Sequence, residues 1–111
     1  MIDETKDNWF NEEVLASDVP VLIEFFGDWC PPCRKLSPIL DEISAESGGR
    51  FKVVKLNVRE QPGLTVHFNV AVLPTMYIID GGEVVETFVG LQSKQTLVDV
   101  LVRAAATGGR S

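Results

Sequence analysis

The chain has 111 residues, 45% of them hydrophobic and 23% charged, enough for one domain around one core and too few for a second module. Ten Lys and Arg against sixteen Asp and Glu give a formal net charge of −6, and because phosphate backbones call for a basic face, this balance argues against a nucleic-acid partner. No apolar run approaches membrane-spanning length, and Met1-Ile2-Asp3-Glu4-Thr5-Lys6-Asp7 lacks the basic and apolar regions of a signal peptide, so the expectation is a cytoplasmic protein with no membrane partner.

Residues 5–17 suit an exposed helix, acidic early, with Phe10 and Val14 four apart as a narrow apolar stripe and Trp9 as a packing side chain at its edge. Asp18-Val19-Pro20 ends it. Residues 21–26 then form a near-continuous apolar run, as expected of a central strand covered on both faces, and only Glu24 interrupts it. After Cys30-Pro31-Pro32-Cys33, the residues Leu36, Ile39, Leu40 and Ile43 recur at i, i+3, i+4 and i+7, the apolar face of a helix ending near Gly48-Gly49. Pro38 lies within this helix and is expected to kink it.

Residues 51–58 read as the next strand, and Gln61-Pro62-Gly63 opens a short helix carrying Leu64 and Phe68 on one side. Strand, helix, strand, helix implies parallel strands joined by a right-handed helical crossover. Residues 75–79 and 83–89 flank Asp80-Gly81-Gly82, a tight hairpin signal, so the last two strands should run antiparallel. Ser93 is a plausible cap for a final helix with Leu97, Val100, Leu101 and Ala104 at apolar spacing. The expected architecture is α/β: a central mixed sheet flanked by helices, with a C-terminal hairpin and helix. One domain covers residues 1–106, and residues 107–111 read as a flexible tail.

Cys30 and Cys33 are the only cysteines. A ring that short constrains the unfolded chain little, so the pair is poorly placed as a structural staple. At a helix start the two thiols face the same side, and the dipole and free N–H groups there stabilise a thiolate. Cys30 is accordingly the outer nucleophile, which attacks a substrate disulfide, and Cys33 the covered thiol that resolves the mixed disulfide; the cycle needs no cofactor. The competing readings are an inert disulfide or half of a zinc site. Zinc takes about four ligands, and beyond the thiols the chain offers one histidine, His67, which reads as a solvated helix residue rather than a base or ligand. No metal is expected within one chain, although a site shared between two chains remains open. Pro31 and Pro32 lack N–H groups, and a residue before proline avoids helical angles. The helix should therefore start at about Pro32, with Cys33 the first available donor and the turn stiff.

Trp29-Cys30-Pro31-Pro32-Cys33 after a hydrophobic strand, Pro38, Lys55-Leu56-Asn57, Val72-Leu73-Pro74-Thr75, Gly81-Gly82-Glu83-Val84 and Val89-Gly90 together resemble the thioredoxin family over residues 10–106. The resemblance implies the thioredoxin fold and reduction of protein disulfides through Cys30 and Cys33, with electrons from a thioredoxin-reductase-type donor and a monomeric chain. It implies that Pro74 is cis and lies against the cysteine pair. Leu73 pairs its main chain with an extended substrate segment, a form of strand addition. Trp29, Pro31, Pro32, Val72, Leu73, Val89 and Gly90 become the substrate-binding surface. It makes Glu24 the buried acid that helps deprotonate the inner thiol, with Lys55 as its neighbouring lysine. Burial raises a carboxyl pKa and a nearby ammonium lowers it. Three positions depart from the family pattern: Glu24 stands in place of aspartate, Phe26 in place of the first tryptophan, and Pro31 in place of glycine. The amino-terminal strand is also weakly represented, since residues 1–6 are short and polar. Pro31 raises two rival readings, a dedicated oxidant or an isomerase-type protein; a third, from another class, is a binding module that uses the groove without turnover.

Overall fold

The computed structural model describes residues 8–107. The sheet is organised around Val21–Phe26 (β1), whose first five residues are buried. Lys52–Asn57 (β2) pairs parallel to one side of it, Thr75–Asp80 (β3) antiparallel to the other, and Glu83–Val89 (β4) antiparallel to β3, giving the order β2-β1-β3-β4. Among the described residues a π-helical stretch, Asn11–Leu15, and three α-helices, Pro31–Glu46 (α1), Pro62–His67 (α2) and Lys94–Thr107 (α3), complete the fold. The mixed α/β architecture is as expected.

Because side chains alternate across a strand, β1 feeds two cores at once. Leu22, with Met76 and Ile78 of β3, packs under Leu36, Leu40 and Ile43 of α1 and Leu97 and Leu101 of α3. Val21, Ile23 and Phe25 face the other way, against Phe10, Val14, Leu56 and Leu64. Each fully buried aliphatic side chain contributes on the order of 2 kcal/mol. Glu24 falls on the Leu22 face and so points toward α1, and this alternation places a carboxyl group beneath the helix that carries Cys33.

The hairpin turn follows the Gly81-Gly82 signal. Asp80 pairs with Glu83, and both glycines have positive φ (63° and 85°), which suits the turn that matches strand twist. The register slips between Ile78 and Ile79, leaving Val85 as an extra residue in β4. Ser93 caps α3, its Oγ accepting from the Thr96 N–H at 3.1 Å.

Several boundaries differ from the sequence reading. The first helix is a π-helical stretch over Asn11–Leu15; its apolar stripe, Phe10 and Val14, is buried as expected while Glu12 and Glu13 are exposed. It ends before Ser17, whose hydroxyl forms a turn with Val19. α1 begins at Pro31, one residue earlier than expected, since proline at the first helical position needs no N–H partner. α1 continues through Pro38, which has no N–H to return to the Arg34 carbonyl. Thr107, expected to open the tail, closes α3. The expected helix start at Thr5, the weakly represented amino-terminal strand and the tail residues 108–111 lie outside the described residues.

Candidate active site

The site forms where the chain leaves β1 and turns into α1. Cys30 is extended (φ −97°, ψ 105°), as a residue before proline must be, and its carbonyl accepts the first helical bond from the Arg34 N–H at 3.2 Å. Cys30 and Cys33 form a disulfide. Pro31 and Pro32 fill the first turn, so the Cys33 N–H is the donor that reaches Cys30 Sγ, at 3.3 Å. The expected contrast between an outer and a covered thiol is small in this oxidised form: Cys30 is 7% exposed and Cys33 4%. Pro31 is exposed and Pro32 half-buried.

Cys33 and Glu24 line one cleft of about 180 Å³, together with Phe26, Gly27, Ser37 and Lys55. Glu24 is 1% exposed and its Oε2 has no hydrogen-bond partner among the described residues. Burial pushes its carboxyl pKa up to about 7; the Lys55 ammonium opposes the rise and the Asp41 carboxylate adds to it. Lys55 sits opposite Glu24 in the β1–β2 register, but its Nζ is held by Asp41 Oδ1 and Ser37 Oγ, each at 2.7 Å. Lys55 therefore favours the charged form of Glu24 through its charge alone, while its hydrogen bonds go to Asp41 and Ser37. The sequence reading missed Ser37 and Asp41, yet Cys33, Ser37 and Asp41 recur at i, i+4 and i+8, one helical face turned toward Lys55.

A second wall comes from the strand ends. The Leu73–Pro74 bond is cis, the Gly90 N–H donates to the Pro74 carbonyl at 2.8 Å, and the Thr75 hydroxyl donates to the Val72 carbonyl. Phe25, Thr75 and Val89 lie side by side in register, so residues 72–75 and 89–90 meet at the end of the sheet from which the cysteine loop departs. Leu73 and Trp29 converge over Gly27: a Cβ there would come within 3.0 Å of Leu73 Cδ1 and 3.4 Å of the Trp29 ring. Trp29, Val72 and Val89 are 59%, 53% and 56% exposed, an apolar rim at this end of the sheet. His67 ends α2, exposed, with its ring edge-on to Phe68. Among the described residues no group of three or more His, Cys, Asp or Glu is placed to hold a metal ion, and no helix is long and apolar enough to cross a membrane.

A dithiol pair that closes reversibly at a helix start, above a buried carboxyl group, can exchange with an external disulfide. Comparison with known proteins agrees. The thioredoxin family model matches residues 1–103. A thioredoxin from Rickettsia felis is 42% identical over 99 residues, covering 89% of this chain and 94% of the relative. Thioredoxin 1 from Nostoc sp. is 43% identical over 95 residues, covering 86% and 89%, and a thioredoxin from Synechocystis sp. is 42% identical over 98 residues, covering 88% and 92%. With the fold, the cysteine pair and these matches in agreement, the chain belongs to the thioredoxin family and is a dithiol oxidoreductase that reduces protein disulfides.

Proposed function

We propose that Cys30 is the attacking thiolate and Cys33 the resolving thiol. The Cys30 thiolate attacks one sulfur of a substrate disulfide, forming a mixed disulfide and expelling the other sulfur as a thiolate. Cys33 gives up its proton and attacks Cys30 Sγ, releasing the second substrate thiolate and closing the Cys30–Cys33 bond. Two electrons pass to the substrate, and its two thiolates take up protons. The observation that carries this reading is the Cys33 N–H aimed at Cys30 Sγ, which stabilises negative charge on that sulfur rather than on the other.

Glu24 is the proton acceptor for Cys33, a role supported by their shared cleft and by a carboxyl pKa near neutrality. Lys55 tunes Glu24 from across the strand pair. Pro74 shapes the wall beside the disulfide, and Leu73 offers main-chain hydrogen bonds to an extended substrate. Trp29, Pro31, Pro32, Val72, Val89 and Gly90 complete an apolar surface for it. The protein works as a monomer of one domain over residues 1–106, in the cytoplasm. A thioredoxin-reductase-type partner returns the electrons.

Trapping tests the roles. Incubated with a disulfide-bonded protein such as insulin, Cys33→Ser should accumulate a mixed disulfide through Cys30, visible on a non-reducing gel and mapped by mass spectrometry. Accumulation with Cys30→Ser instead, through Cys33, reverses the assignment.

A further inference from the structure

Beside the disulfide stands a polar cluster that the dithiol cycle does not use. Two guanidinium groups meet at one residue: Arg34 Nη2 donates to the Asp28 backbone carbonyl at 2.9 Å, and Arg59 Nη1 lies 3.8 Å from the Asp28 carboxylate oxygen Oδ2. Asn57 holds the arrangement in place, donating to Asp28 Oδ1 at 2.9 Å and accepting from the Arg59 N–H at 2.8 Å. The Arg59 guanidinium also stacks over Trp29, 5.5 Å from its ring centroid. Arg34 follows Cys33 directly in sequence, and Trp29 precedes Cys30.

The charge of this rim opposes that of the whole chain. Two arginines against one aspartate leave it positive, whereas the full sequence carries −6. Arg34, Arg59 and Asp28 are all exposed, so the surplus positive charge faces whatever docks against Trp29. Exposed charges act over about 8–10 Å at ordinary ionic strength, the reach of residues flanking a bound substrate disulfide.

We infer that Arg34 and Arg59 form a cationic rim that selects protein disulfides flanked by acidic side chains. Arg59 has a second task, holding the Trp29 ring against the substrate. This inference rests on disulfide reduction by the Cys30–Cys33 pair, and the test separates the two.

Two peptides with the same disulfide ring, one flanked by aspartates and one by lysines, are reduced in single turnover by the pre-reduced protein, and second-order rate constants are compared. At about 20 mM ionic strength the acidic peptide should react about tenfold faster, and the preference should shrink toward unity at about 0.5 M. Arg59→Gln with Arg34→Gln should abolish the preference, and Arg59→Lys should retain most of it. A purely structural role would slow both peptides alike and leave their ratio unchanged, which overturns the proposal. So does a wild-type ratio near one at low salt. Failure to reduce either peptide overturns the dithiol reading itself, and the rim with it.

Discussion

Glu24 sits where a strand of apolar residues admits one carboxyl group, and desolvation dominates its chemistry. Its pKa is raised from 4.5 to about 7, so the folded protein holds a proton there that the unfolded chain releases. The contribution of Glu24 to stability is therefore greatest below about pH 4.5, falls as pH rises between 4.5 and about 7, and levels off above that. The full displacement corresponds to about 3 kcal/mol. Glu24→Gln, which cannot ionise, should match the wild type at pH 4 and exceed it by as much as about 3 kcal/mol at pH 8. Denaturant unfolding of the disulfide form, where the cysteines do not titrate, measures this; equal stabilities across the range would mean that Glu24 ionises freely. The pattern of apolar flanks made burial of Glu24 legible in the sequence. That Asp41 engages Lys55 was not, because the three residues come from two strands and a helix.

At the scale of elements, helix ends position much of the site. α1 starts on two prolines that supply helical φ angles at no hydrogen-bonding cost, which leaves the Cys33 N–H for sulfur. The sequence reading put this start one residue late by weighing the restraint on the residue before a proline at Pro31. That restraint falls on Cys30 as well, which is extended, and Pro31 tolerates the helical state of its own φ. α3 begins with a side-chain cap, Ser93 Oγ accepting from Thr96 N–H and donating to Thr96 Oγ1 at 2.9 Å. Ser93→Ala should cost about 1 kcal/mol, lowering the melting temperature by about 5 °C, while Ser93→Asp should restore most of the loss. Calorimetry on the three proteins checks it, and an unchanged melting temperature for the alanine variant would show the cap to be idle.

For the whole molecule, the decisive feature is that one strand serves two cores. Leu22 and Ile23 are adjacent in the chain yet belong to opposite layers, so neither layer can be lost while β1 stays folded. Unfolding should be a single cooperative transition. In Trp29→Phe, Trp9 is the one remaining tryptophan, excited selectively over Tyr77 at the red edge of absorption, and lies against the Phe10 layer, whereas far-UV circular dichroism follows mainly α1 and α3 on the other. Urea curves from the two signals should coincide, and separate midpoints would show that the layers unfold independently. Periodicity marked the apolar faces of α1 and α3, a continuous apolar run marked β1 as covered on both faces, and turn chemistry at Gly81-Gly82 marked the hairpin, because all three depend on neighbours in sequence. The cysteine spacing suggested dithiol chemistry, and the ordered landmarks from Trp29 to Gly90 added the family resemblance that specified it. The resemblance grouped Trp29, Val72, Leu73 and Val89 in advance, but only the tertiary structure decided that Leu73 and Trp29 converge over Gly27, that Arg59 lies on Trp29, and that Asp41 engages Lys55. These are meetings between distant segments, set by strand register and by competition among charges for partners, and a linear pattern carries neither.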